Sequence, residues 1–160
     1  MKLPTHQIRG LKVHPQEIDA HQPVARFMIT LFNFFEDEII IALSKFSYSD
    51  ISRTDLNTLR YVDEAGITVG QLARLNGVSK QAVSKQIEDL VKRGYLQKSA
   101  DENDARIVRV RFSSSGIQLL NKLIEIIGGI EAKYQKKIGK TAYDRLKRDL
   151  GSLLDLYVRG

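Results

Sequence analysis

The 160-residue sequence predicts a mainly α-helical fold with one small β-hairpin. Three observations carry that prediction. Apolar residues recur at three- and four-residue steps in one long segment near the start and two more at the end. Between them, three shorter helical patterns follow one another, each opened by Ser or Thr and each closed near a Gly. The stretch Ile107 to Phe112 then switches to a period of two, the signature of a half-buried strand.

Residues 1–20 read as an irregular arm, because Pro4, Gly10 and Pro15 punctuate it without apolar periodicity. His6, His14 and His21 match no metal-ligand spacing, so a solvated arm is expected, with no metal and no cofactor. Pro23 suits a helix start. After it, Val24, Phe27, Met28, Leu31, Phe34, Phe35, Ile39, Ala42, Leu43 and Phe46 form one stripe. At 1.5 Å per residue, a helix over residues 22–46 extends roughly 37 Å, more than a domain this size needs for its own core. Its stripe is expected to meet a partner chain. Adjacent residues on a helix point apart, so the run Glu36-Asp37-Glu38 reads as a solvated face and not as a paired-carboxylate site.

Ser52 and Asp55 form a capping pair for a helix carrying Leu56, Leu59 and Val62 and ending near Gly66. Thr68 and Gln71 open the next, with Leu72, Ala73 and Leu75 on its buried side and Gly77 as its stop. Ser79 caps a third, which turns Val83, Ile87, Leu90 and Val91 one way and Gln81, Lys85, Glu88 and Lys92 the other, before Gly94. Tyr95 to Lys98 and Ile107 to Phe112 pair as a hairpin across the polar connector S-A-D-E-N-D-A-R, which is too long for a tight turn and should project.

Ser113 to Ser115 cap the first of two closing helices. Its stripe runs from Ile117 to Ile138, and the second, opened by Thr141 and Asp144, carries Tyr143, Leu146, Leu150, Leu153, Leu154 and Tyr157. Gly128-Gly129 interrupts the first at a cost of about 2 kcal/mol relative to alanine, so a kink or a close helix crossing is expected there.

Helix, short turn, helix and hairpin is the order of a winged helix-turn-helix. Ala73, Gly77 and Val83 supply a small residue for close approach, a turn residue and an apolar anchor. The anchoring leaves the first turns of the second helix free. They carry Ser79, Lys80, Gln81, Ser84 and Lys85, hydrogen-bond formers and cations whose reach suits base edges and phosphates.

From Leu56 to Gly116 the sequence resembles the winged-helix core of the multiple-antibiotic-resistance regulator (MarR) family, and the flanking helices fit it too. The most specific piece is the wing, with Asp101, Asp104, Arg106, Ser113 and Gly116 in a D-x-x-D-x-R and S-x-x-G pattern. The family's usual D-P-x-D-R-R is D-E-N-D-A-R here, which keeps the last Arg and loses the Pro and the penultimate Arg. The resemblance implies a homodimer that presents two winged lobes to a pseudo-palindromic operator in double-stranded DNA. It also implies a transcriptional repressor released by a small-molecule effector in a crevice between the dimer helices and the lobe. Arg106 would enter a minor groove, with Asp104 steadying it. Tyr48 and Tyr61 lie near the expected crevice, but aromatics at helix ends are mostly packing residues, and no effector-binding residue is assigned.

The expected organisation is therefore an arm (1–20), a dimerisation helix (22–50), a winged helix-turn-helix lobe (52–112) and C-terminal dimerisation helices (113–160). Charge follows this division. Residues 1–51 hold 5 basic and 6 acidic side chains, residues 52–112 hold 11 and 8, and residues 113–160 hold 9 and 5, so the net +6 belongs to the middle and the end. Such an excess favours a polyanionic partner. The 42% hydrophobic and 28% charged fractions are those of an ordinary globular chain. With no Cys, thiol catalysis, thiol redox sensing and Cys-ligated metals are excluded. No apolar run approaches the roughly 18 residues of a spanning helix and no signal-peptide core is legible, so a cytoplasmic chain without a membrane partner is expected. No phosphate loop, dinucleotide fingerprint, HExxH or nucleophile elbow is present, so no enzyme is expected. The alternative reading is a winged-helix protein-interaction module without specific DNA readout.

Overall fold

The structure, a computed structural model, describes residues 22–101, 104 and 106–158, the last without its side chain. The N-terminal arm and all three His lie outside the described residues. The elements run α1 (Val24–Leu43), α2 (Arg53–Leu59), β1 (Ile67–Thr68), α3 (Val69–Asn76), α4 (Lys80–Lys92), β2 (Leu96–Ala100), β3 (Val108–Phe112), α5 (Ser114–Ile138) and α6 (Lys140–Val158). The chain divides into two compact units, residues 1–34 and 35–160. In the first, the described helical turns leave Val24, Met28, Ile29, Leu31, Phe32 and Phe34 exposed.

The second unit holds the core. Val83, Ile87 and Leu90 of α4 are fully buried, as are Leu72 of α3, Leu43, Val110 of β3 and Leu119 of α5. Local hydrogen bonding explains where the short helices begin. The Ser52 hydroxyl accepts from the Asp55 amide while the Asp55 carboxylate accepts from the Ser52 amide at 2.8 Å. Thr68 and Gln71 repeat this reciprocal arrangement at α3, and Ser113 caps α5 by accepting from the Gly116 amide at 3.0 Å. Helix α6 starts at Lys140, one residue ahead of the expected opening at Thr141.

Several expectations are corrected. The sheet has three strands in the order β1-β3-β2, all antiparallel, and not two. Its extra strand is only Ile67-Thr68, set against Val110 and Arg109, and two residues carry no periodicity of their own. Helix α2 stops at Leu59, well before Gly66, because the chain must leave the helix to reach that strand. The apolar alternation of β3 does not bury Val108, which is exposed where the hairpin runs out beyond the core, while Val110 is fully buried.

Another correction concerns the acidic run. Glu36 is 6% exposed, not solvated. Three consecutive helical residues sweep roughly 200°, so they cannot all face water when the helix is packed. Arg60 donates to Glu36 Oε1 at 2.7 Å and Arg53 to Glu36 Oε2 at 3.3 Å. Asp37 also accepts from Arg53, and Glu38 from Lys133 of α5. A carboxylate so deeply buried requires such partners.

Helix α5 continues unbroken through Gly128-Gly129, and a Cβ on either glycine would meet nothing within 4 Å. Of the kink or close crossing expected there, the crossing is therefore absent within the described residues of this chain. No helix among them is long and apolar enough to cross a membrane.

Candidate nucleic-acid interface

The turn between α3 and α4 sets the geometry of the exposed helix end. Gly77 ends α3 at φ 63° and ψ 29°, in the left-handed region where a side chain is disfavoured. The Val78 amide then donates to the Ala73 carbonyl at 3.1 Å, closing the turn over a residue that is itself buried. Ser79 caps α4 by accepting from the Ala82 amide at 3.2 Å. Burial of Val83, Ile87 and Leu90 turns the opposite face outward.

On that face the structure brings most of the expected residues together. Ser79, Gln81, Ala82, Ser84, Lys85 and Glu88 line one shallow, open depression. Ser84 is half-buried, and the others are exposed. Lys80 is exposed too, but runs back along α3, with its Cε 3.6 Å from where a Cβ on Gly70 would stand. Glu88 faces Lys98 of β2 at 3.8 Å.

Arg106 and Asp104 lie apart from this set, in the connector of the β2–β3 hairpin, and both are exposed. Asp104 Oδ1 accepts from the backbone amide of Arg106 at 2.9 Å, a contact that steadies the main chain beneath the arginine. The Ile107 amide donates to the Asp104 carbonyl at 2.9 Å, and the Asp101 amide to the Ile107 carbonyl at 2.8 Å. Asp101 Oδ1 accepts from the Asp104 amide at 3.2 Å.

Sequence reasoning missed two supports. Arg109 reads as an outward strand residue, yet it donates to the carboxylate of Asp101 and, at 2.8 Å, to the Gly66 carbonyl. The opposite charges of Asp101 and Arg109 on either side of the connector were the available signal. Gln86 of α4 donates to the Thr54 carbonyl of α2, which locks the exposed helix to its neighbour. Tyr48 and Tyr61 are half-buried against the core, and the Tyr48 ring lies 6.4 Å from that of Tyr95. Among the described residues, no group of three His, Cys, Asp or Glu could hold a metal ion.

A helix, a glycine turn, a second helix with one open polar face and a small antiparallel wing define a winged helix-turn-helix protein. Residues 49–107 match the MarR family. Within the chain, 58 residues are 40% identical to the transcriptional regulator AdcR of Streptococcus pneumoniae serotype 2 (strain D39 / NCTC 7466). The match covers 36% of this chain and 40% of that protein, well under two thirds of its length. The reduced form of MarR from E. coli has the same fold, with a TM-score of 0.71 at 20% identity over 85% of this chain and 99% of that one. Streptococcus pneumoniae FabT, solved in complex with DNA, has a TM-score of 0.69 at 16% identity over 83% and 94%.

Proposed function

We propose that the chain is a DNA-binding transcriptional regulator that acts as a homodimeric repressor on a pseudo-palindromic operator and is released by a small-molecule effector. The observation that carries this reading is the exposed polar face at the start of α4, held out by three fully buried residues on the opposite side. A FabT structure in complex with DNA has the same fold and supports it. In this reading α4 lies in the major groove, where each base pair offers its own pattern of donors and acceptors. Gln81 and Lys85 reach base edges there, while Ser79, Lys80 and Ser84 secure the backbone. Arg106 enters the flanking minor groove, and Asp104 holds its main chain.

The dimer would be formed by residues 22–50 and 113–160, leaving residues 52–112 as the DNA lobe. Residues 24–34 expose a row of large apolar side chains, and α6 separately exposes Leu146, Leu153, Leu154, Leu156 and Tyr157. Apolar surface on this scale favours self-association. Selection of bound sequences from a random duplex pool tests the reading. Enrichment of an inverted repeat with half-sites one helical turn apart, roughly 34 Å, is expected. A pool that stays random would overturn it and favour the protein-interaction module.

A further inference from the structure

The wing rests on a contact that reaches outside its own hairpin. We propose that Arg109 is a positioning residue that aims Arg106 by clasping the base of the wing to the loop before β1. This inference rests on the DNA-binding reading above.

Asp101 stands where the hairpin leaves the sheet, and its side chain is only 7% exposed. Its two carboxylate oxygens have different duties. Oδ1 accepts from the Asp104 amide at 3.2 Å, while Oδ2 accepts from Arg109 Nε. The same guanidinium sends its NH1 to the Gly66 carbonyl at 2.8 Å. One planar side chain therefore joins the wing, through Asp101, to a residue 43 positions earlier in the chain. Beside it, Arg111 donates to the Ala65 carbonyl at 3.0 Å and 3.2 Å, so two arginines of β3 hold the same loop.

The consequence for Arg106 follows by geometry. Asp104 is held from behind by Asp101 and holds the Arg106 amide in front at 2.9 Å. A buried carboxylate that lost its guanidinium would lose its counter-charge, and burial then favours its turning toward water. Release of Asp101 would free Asp104 and, with it, the direction of Arg106. Lys cannot replace Arg here, because a single ammonium on a flexible stem lacks the rigid fork that reaches a carboxylate and a carbonyl together.

The test combines a cycle of variants with a measurement that needs no DNA. Arg109→Lys, Arg109→Ala, Arg106→Ala and the Arg109→Lys/Arg106→Ala double variant are made in the full chain. Affinity for the selected operator is read by fluorescence anisotropy, with amide exchange followed in parallel. Exchange at Asp104 and Ile107 should quicken about tenfold in both Arg109 variants while Val110 keeps its protection. Arg106→Ala should weaken the wild type by about fivefold or more yet change Arg109→Lys little, because the arginine is already misplaced.

Unchanged exchange at Asp104 and Ile107 would overturn the clasp, and so would losses that multiply across the cycle. A general loss of protection that includes Val110 would also overturn it, by showing Arg109 to be a stabiliser of the whole sheet. Failure of the wild type to bind any duplex would overturn the DNA reading, and the exchange data would still judge the clasp itself.

Discussion

Gly116 is the residue at which one added methyl group should do the most harm. A Cβ there would stand 1.9 Å from the Tyr95 carbonyl oxygen, which also accepts from the Ser113 amide at 3.1 Å. Helix α5 and the start of β2 are thus in backbone contact, and Gly116→Ala must push them apart. A loss of about 3 kcal/mol is expected, read as a lower urea midpoint. In the proposed reading, the residues at the exposed end of α4 act on DNA and not on the fold. Gln81→Ala should leave thermal stability unchanged and relax preference at particular bases by about 1–3 kcal/mol, measured against single-base operator mutants. Arg106→Ala should weaken all operators more evenly and lower the salt slope by about one per protomer. An unchanged slope in a folded dimer would remove Arg106 from the interface.

Among the elements, α2 depends most on charge. Burial alone would raise the Asp55 carboxyl, but hydrogen bonds from Arg93 and Ser52 outweigh it and hold the group below its ordinary value. Arg93 NH2 lies 2.7 Å from Asp55 Oδ1 and 2.7 Å from Asp89 Oδ2, and its NH1 donates to the Asp50 carbonyl at 2.9 Å. A carboxyl group depressed in the folded state adds stability that is complete above its unfolded value near 3.9 and disappears as pH falls through the folded one. Asp55→Ala removes both the capping box and the partner of Arg93, so it should cost roughly 3 kcal/mol at pH 7. Urea titrations of wild type and variant should converge as pH falls through the depressed folded value of Asp55. A difference that persists undiminished in acid would assign the loss to packing instead.

At the scale of the whole molecule, exposed apolar surface and net positive charge each carry an expectation. Light scattering at micromolar concentration should return a dimer, and a monomer at moderate salt would defeat the proposed assembly. Alanine at Leu153 and Leu154 of α6, 49% and 61% exposed, should shift the mass toward the monomer while leaving far-UV circular dichroism intact. Operator binding should weaken by about 10³ or more between 50 and 200 mM salt if six to ten phosphates are neutralised. Either result can fail without the other, because apolar contacts and counterion release respond oppositely to added salt.

The sequence alone determined whatever is written locally. The caps at Ser52, Thr68, Ser79 and Ser113, the glycine stop at Gly77 and the buried stripe of α4 are set by residues three or four apart, so spacing makes them legible. The open face of α4 follows from that stripe, which is why most of the candidate interface could be named without coordinates. Tertiary structure alone decided the burial of Glu36, the strand at Ile67-Thr68 and the turning of Arg109 toward Gly66. The partners of Glu36 lie 17 and 24 positions away, those of the strand 43 and 41, and that of Arg109 43, and no periodicity spans such gaps. A side chain's charge is fixed by its own chemistry, but whether that charge meets water or a partner depends on which distant backbone the fold brings beside it.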